Sequence, residues 1–281
     1  MIRHVLFALV LALAGLGVAA PAGAADESAR ALLPDALREK GVLTAAMPLD
    51  FEPYNFLDEQ NRKVGLDVEI FEGIAEALGL KPDIERLGFA AIIPAVSGGR
   101  VDVGMSVMGI LEPRLKQVSF VRYTVLANGL IVRKGNPSGV SNTDACGHSI
   151  AVEKGTQPVF VWEKKAAECV AAGKPKIELS TFDGKGPQVL AVETGRTDAA
   201  GVSLATAIVA AKHSDGKLEP APGGPVPGAS VDAGIAVKKD DKALALAIEK
   251  ALQGMVASGA YQKILDKWGL GAATATPAVI E

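Results

Sequence analysis

The chain alternates short apolar runs with amphipathic segments, and that alternation predicts most of its elements. Residues 42–47 read as a strand that leads into an irregular aromatic loop, Asp50-Phe51-Glu52-Pro53-Tyr54-Asn55-Phe56. Ile70, Phe71, Ile74, Ala77 and Leu78 then recur at helical spacing, and Gly79 closes that helix. Residues 82–87 form a second strand, and residues 90–96 a short helix stopped by Gly98-Gly99. Next, Val101, Val103 and Met105 alternate with Asp102, Gly104 and Ser106, a strand that ends where Pro113 starts a helix. Strand, helix, strand, helix, strand is an α/β arrangement with a mostly parallel sheet.

Residues 126–132 read as a strand that leaves this first unit, and a second α/β unit follows. It comprises a strand at 149–152, the turn Lys154-Gly155-Thr156-Gln157, a helix at 158–172, a strand at 176–179, a helix at 188–193 and a strand at 198–202 that ends at Ser203. Residues 220–227 are too rich in proline and glycine for either regular state. A strand returns at 235–237. Leu244, Ile248, Leu252 and Val256 mark a long helix closed by Gly259, and a last helix spans 260–268. Residues 26–40 read as a short surface helix, and the tail from Gly271 is expected to be poorly ordered.

In sheets of this kind, ligands collect beyond the carboxyl ends of the strands. The loop after Met47, the region of Phe89 and the junction at 106–114 all lie at such ends and are expected to converge on one crevice. Arg114 follows Pro113 directly, and its planar fork of donors matches a carboxylate or phosphate at a helix start whose backbone N–H groups point forward. The junction reads as an anion clamp. The Gly155-Thr156 step before the next helix is a second potential anion site.

Composition narrows the partners. The 281 residues, 49% of them hydrophobic, supply a core for one large or two ordinary domains. A net charge of -3 gives no reason to expect nucleic acid or an anionic membrane as partner. Arg3 and His4, the apolar run at 5–20 and Ala22-Gly23-Ala24 make residues 1–24 a secretory signal peptide, cut after Ala24 or Ala25. No later apolar run reaches the ~20 residues of a membrane span. Cys146 and Cys169, an even pair in an exported protein, favour a disulfide over a metal or redox site. With only His148 and His213 past the leader, no metal, cofactor or catalytic residue is expected.

Eight segments then carry a resemblance: GVLTAAMPLDFEPYNF, KVGLDVEIFEGIAEALGL, IIPAVSGGRVDVGMSVMGILEPRLKQVSF, LIVRKG, SIAVEKGTQ, VETGRTDAAGV, AGIAVKKDD and ALQGMVASGAYQKILDKWG. In order and spacing the chain resembles the periplasmic solute-binding proteins of ABC importers, of the polar-amino-acid-binding family (family 3 type). The resemblance implies a type II bilobal fold, two α/β lobes joined by two hinge crossovers. Lobe 1 takes residues 25–125 and 231–270, lobe 2 residues 126–230, and residues 271–281 form a tail. It implies hinge closure over a ligand: a small carboxylate-bearing solute, an amino acid or amino-acid derivative, which a monomeric periplasmic receptor delivers to an inner-membrane permease. A cysteine pair placed like Cys146 and Cys169 occurs in one branch of the family, as a disulfide.

Carried over position by position, Arg114 falls where the family binds the ligand's α-carboxylate, and Thr156 where the second lobe offers a hydroxyl and helix N–H groups to the same carboxylate. Phe51 and Phe89 match positions that flank the ligand's side chain, whereas Tyr54 and Phe56 are assigned to the core. Ser106 and the backbone from Val107 through Met108 to Gly109 form the strand-end wall. Three positions depart from the pattern. Gly109 replaces a Ser or Thr, Gln157 replaces a second Thr, and Ser203 replaces the aspartate that pairs with the ligand's α-ammonium. A buried ammonium needs an anion, so either Asp232, Asp50 or Glu52 substitutes, or the ligand is an organic acid without an α-ammonium. An enzymatic alternative exists on the same fold, a periplasmic dehydratase of the cyclohexadienyl type, with Glu52 or Asp232 as the general acid.

Overall fold

The computed structural model describes residues 25–281, so the expected signal peptide lies outside the described residues. The described residues open with two short helices, α1 (Glu27–Arg30) and α2 (Asp35–Lys40), where one was expected. Pro34 is the N-cap of α2 and separates them, because the residue before a proline is pushed out of the helical region. Then come β1 (Val42–Met47), β2 (Asp50–Phe51), β3 (Asn55–Leu57), β4 (Lys63–Val64), α3 (Leu66–Ala77), β5 (Lys81–Arg86), α4 (Phe89–Ser97), β6 (Val103–Gly109), α5 (Glu112–Leu115) and β7 (Val118–Leu126). The middle of the chain supplies β8 (Asn128–Arg133), β9 (Ser149–Glu153), α6 (Gln157–Ala171), β10 (Glu178–Phe182), α7 (Lys185–Glu193), β11 (Ala199–Ser203), α8 (Leu204–His213) and β12 (Leu218–Pro220). The last part is β13 (Val231–Lys238), α9 (Lys242–Ala257), α10 (Ala260–Lys267) and β14 (Thr274–Ile280).

Two large sheets result, and the fold is bilobal. The first has the order β14-β7-β13-β6-β1-β5, the second β10-β9-β11-β8-β12. In each, the central βα units pair in parallel, β1 with β5 and β6, and β9 with β10 and β11. The crossing strands β13 and β8 add antiparallel partners. The chain passes from the first sheet to the second between Leu126 and Asn128 and returns ahead of Val231. Leu126 and Val231 pair with each other at the end of the β7/β13 ladder. Beyond them, Asn128 Nδ2 donates to the Ala229 carbonyl (2.7 Å) and the Val226 N–H to the Asn128 carbonyl (2.8 Å), so the two crossings stay bonded on both sides.

Strand β6 is buried at every residue. The alternation in the sequence therefore does not divide core from solvent; it divides two apolar layers. Val103, Met105 and Val107 join the cluster built on α3 and α9, with Ile70, Phe71, Ile74, Ile248 and Leu252, while Met108 packs with Ile92, Val96 and Phe120 under α4. Each large side chain fully buried here contributes about 1.5–3 kcal/mol. In the second lobe Leu130, Ile150 and Trp162 form the core, with the Cys146–Cys169 disulfide closing a loop at the far end of α6. Gly201 on β11 is required by this packing, since a Cβ there would come within 2.4 Å of the Trp162 indole nitrogen.

The tail corrects the expectation of disorder. β14 pairs antiparallel with β7 at the edge of the first sheet, Ala278 opposite Arg122 and Ile280 opposite Phe120. Arg122 Nε donates to the Thr276 carbonyl at 2.9 Å. Pro277 falls in the stretch where the register shifts, on an edge strand, which is where a residue without an N–H is tolerated in a sheet.

Candidate functional site

A cleft of about 410 Å³, counted with its open mouth, lies where the strand ends of the two sheets face each other. Phe51, Phe89, Ser106, Val107 and Gly109 wall it from the first lobe, and Glu153, Thr156, Gln157, Lys185 and Val202 from the second.

Arg114 sits against this wall. Its helix, α5, is a single turn with proline in its first positions, too short to act through its own N-terminus, so the side chain carries the site. One guanidinium nitrogen donates to the Gly109 carbonyl of the first lobe (2.7 Å) and another to the Gly155 carbonyl of the second (2.8 Å). The guanidinium also lies 5.3 Å from the centre of the Phe89 ring. Arg114 is 5% exposed, and burial lowers its pKa to about 10. Among the described residues it makes no ion pair. A desolvated cation held only by neutral carbonyls has the chemistry to take an anion.

The facing turn needs Gly155, whose φ is +75°. Thr156 is buried and caps α6 without a side-chain cap bond, because its hydroxyl donates instead to the Glu153 carbonyl (2.6 Å). Gln157 fills the space beside it. Its Nε2 reaches the Ala229 carbonyl at 3.5 Å, while its Oε1 is buried without a partner. A Cβ on Gly109 would lie 3.0 Å from Gln157 Cγ. The glycine thus makes room for the glutamine.

Beneath the wall lies a polar network. Ser106 is fully buried and accepts from Asn55 Nδ2 (3.3 Å), which also donates to Asp67 (2.8 Å), and the Tyr123 hydroxyl donates to the other Asp67 oxygen. Burial pushes the Asp67 carboxyl up to about 7, against the hydrogen bonds that favour its charged form. Val107 has φ 42°, a left-handed conformation that costs a β-branched residue about 1–3 kcal/mol. The kink brings both Ser106 and Val107 to the cleft, and Met108 lies on the opposite face.

The structure therefore does not bring every candidate together. Met108 is core. Ser203 caps α8, accepting from the Thr206 N–H (3.0 Å) and donating to its hydroxyl (2.9 Å), and does not line the cleft. Asp232 pairs with Arg122 at 2.8 Å outside the cleft, Glu52 faces His213 at 3.4 Å, and Asp50 is exposed.

The acid inside the cleft is one the sequence left unmarked. Glu153, at the end of β9, pairs with Lys185 at the start of α7 at 2.6 Å, their side chains 7% and 11% exposed. Lys185 Nζ also sits 3.9 Å from the centre of the Phe51 ring, and that ring packs on Tyr54 with centroids 4.8 Å apart. The available signal was positional: Glu153 is the one charged residue within β9, at its carboxyl end and two residues before Gly155.

Residues 43–271 match the profile of the bacterial extracellular solute-binding proteins, family 3. The chain belongs to that family. This solute-binding protein is 26% identical to the arginine-binding protein ArgT of Corynebacterium glutamicum over 86% of its own length and 78% of that protein's. An ancestral arginine-binding protein bound to arginine shares its fold with a TM-score of 0.71 and 30% identity, over 81% of this chain and 98% of that one. AncCDT-1, an ancestral amino acid-binding protein and precursor of cyclohexadienyl dehydratase, follows with a TM-score of 0.68 and 25% identity, over 83% and 98%. Among the described residues of the binding protein, no helix is long and apolar enough to cross a membrane.

Proposed function

We propose that this protein is the periplasmic substrate-binding component of an ABC importer, that it captures an amino acid between its lobes, and that it delivers it to an inner-membrane permease. The observation that carries the reading is Arg114, a buried guanidinium bonded to carbonyls of both lobes and lacking an anion. A ligand α-carboxylate supplies that anion. Glu153 takes the α-ammonium in place of the aspartate missing at Ser203, being the carboxylate that lines the cleft. Gln157 Oε1, buried and unpartnered, offers an acceptor beside it.

One observation favours a second reading, an organic acid without an α-ammonium: Lys185 already satisfies Glu153. A thermal-shift panel separates the two. Stabilisation by standard amino acids supports the first reading, and stabilisation by organic acids alone supports the second.

The protein acts without catalysis. General acid work needs a carboxyl group that holds its proton inside the cleft. Asp67 is raised to about 7, but it lies behind Ser106, bonded to Asn55 and Tyr123. Purified protein is expected to form no product from arogenate or prephenate.

A further inference from the structure

We propose that Lys185 is a charge-selecting residue of the cleft and that the ligand is an acidic amino acid. The inference rests on the amino-acid reading above and specifies its side chain.

Charge count carries it. Lys185 and Glu153 line the cleft from nearly buried positions, and a second cation, the buried Arg114, stands directly behind its wall, bonded to the Gly109 and Gly155 carbonyls and 5.3 Å from the centre of the Phe89 ring. The walls therefore hold one positive charge in excess. A net-negative ligand cancels it, a zwitterion with a neutral side chain leaves it uncompensated, and a cationic amino acid doubles it in a site removed from water. An acidic amino acid matches group by group: its α-carboxylate on Arg114, its α-ammonium on Glu153 and its side-chain carboxylate on Lys185. Binding then exchanges the Glu153–Lys185 bond for two bonds to the ligand, and no charge is left alone.

The aromatic wall gives a second, independent argument. The face of Phe51 is where a cationic ligand side chain would stack, and Lys185 Nζ occupies it at 3.9 Å from the ring centre. A ligand ammonium or guanidinium would have to expel Lys185 and would meet its charge nearby. Arginine, the ligand named for the relatives above, is thus disfavoured here by sterics and by charge.

The test is calorimetry on the mature chain at neutral pH with L-glutamate, L-aspartate, L-glutamine and L-arginine, for wild type, K185Q, K185R and R114M. Wild type is expected to bind an acidic ligand at least about tenfold more tightly than glutamine or arginine. K185Q loses at least about tenfold toward that acidic ligand and keeps or gains affinity for glutamine, whereas K185R, which keeps the charge, keeps the acidic preference. Equal or tighter wild-type binding of glutamine or arginine overturns the inference, as does K185Q affinity for acidic ligands within about threefold of wild type. Either result leaves the amino-acid reading intact so long as R114M abolishes binding. Wild type that binds none of the four overturns this inference and leaves the amino-acid reading to the thermal-shift panel, whereas binding that R114M does not weaken removes both.

Discussion

Replacing Arg114 by methionine separates what the guanidinium does for the fold from what it does for a ligand. Burial lowers its pKa from the usual guanidinium range to about 10, a penalty on the charged form of about 3 kcal/mol. Against that stand the bonds to the Gly109 and Gly155 carbonyls, each worth about 1.5–3 kcal/mol as a charged-to-neutral pair. The two bonds together offset that penalty and leave a surplus of at most about 3 kcal/mol, so Arg114→Met is expected to lower the stability of the protein alone by no more than about 3 kcal/mol. Ligand binding has no such offset. Losing a desolvated partner for a carboxylate costs about 2–5 kcal/mol, roughly 30-fold to several thousand-fold in affinity. Urea unfolding measures the first quantity and isothermal titration calorimetry the second. A variant that unfolds far more easily yet binds its ligand with wild-type affinity would refute the reasoning, because Arg114 would then be a structural tie between the lobes.

Two further outcomes follow from the framework. Cys146→Ser with Cys169→Ser opens a loop between residues 23 apart and is expected to lower stability by about 3 kcal/mol, with affinity unchanged because the bridge lies at the far end of α6 from Thr156; a calorimetric loss of binding would contradict this. Asp67 links stability to pH. Its carboxyl is raised from 3.8 to about 7 in the folded protein, so the folded state holds a proton that the unfolded chain releases, and the contribution is full below about pH 4 and lost as pH rises through about 7. Asp67→Asn is expected to flatten the decline of stability across that window; an unchanged slope in urea titrations at several pH values would count against it.

Much of this architecture was legible because apolar spacing and turn residues agree in most segments. The helix marked by Ile70, Phe71 and Ile74 and closed by Gly79 is an example. The tail was misjudged because Pro277 and a terminal position both argue against a strand, and only the free edge of β7 makes one favourable. The cleft was half legible. Thr156, Phe51, Phe89, Ser106, Gly109 and Gln157 follow from local junctions or from family resemblance, and the structure gathers them around one cavity, with Arg114 bonded behind its wall. The Glu153–Lys185 pair does not follow, since its partners are brought together by sheet register. Phe182 lies directly beside Glu153 on the parallel neighbour strand, and Lys185 comes three residues later. Met108 does not line the cleft because the two-residue period puts its side chain, like position 104, on the face of β6 that packs under α4, and a strand buried on both faces gives no sign in its sequence of which face meets the cleft.

The paired crossings have a mechanical consequence. Two strands hydrogen-bonded to their ends can bend and twist as one ribbon, but they cannot slide, since a slip of one residue would invert every side chain along β7 and β13. The lobes are therefore left with one soft direction of relative motion, across the ribbon, and stiffness against shear. The lateral register of the two cleft walls, with Arg114 on one and Glu153 on the other, is thereby set by the ribbon itself.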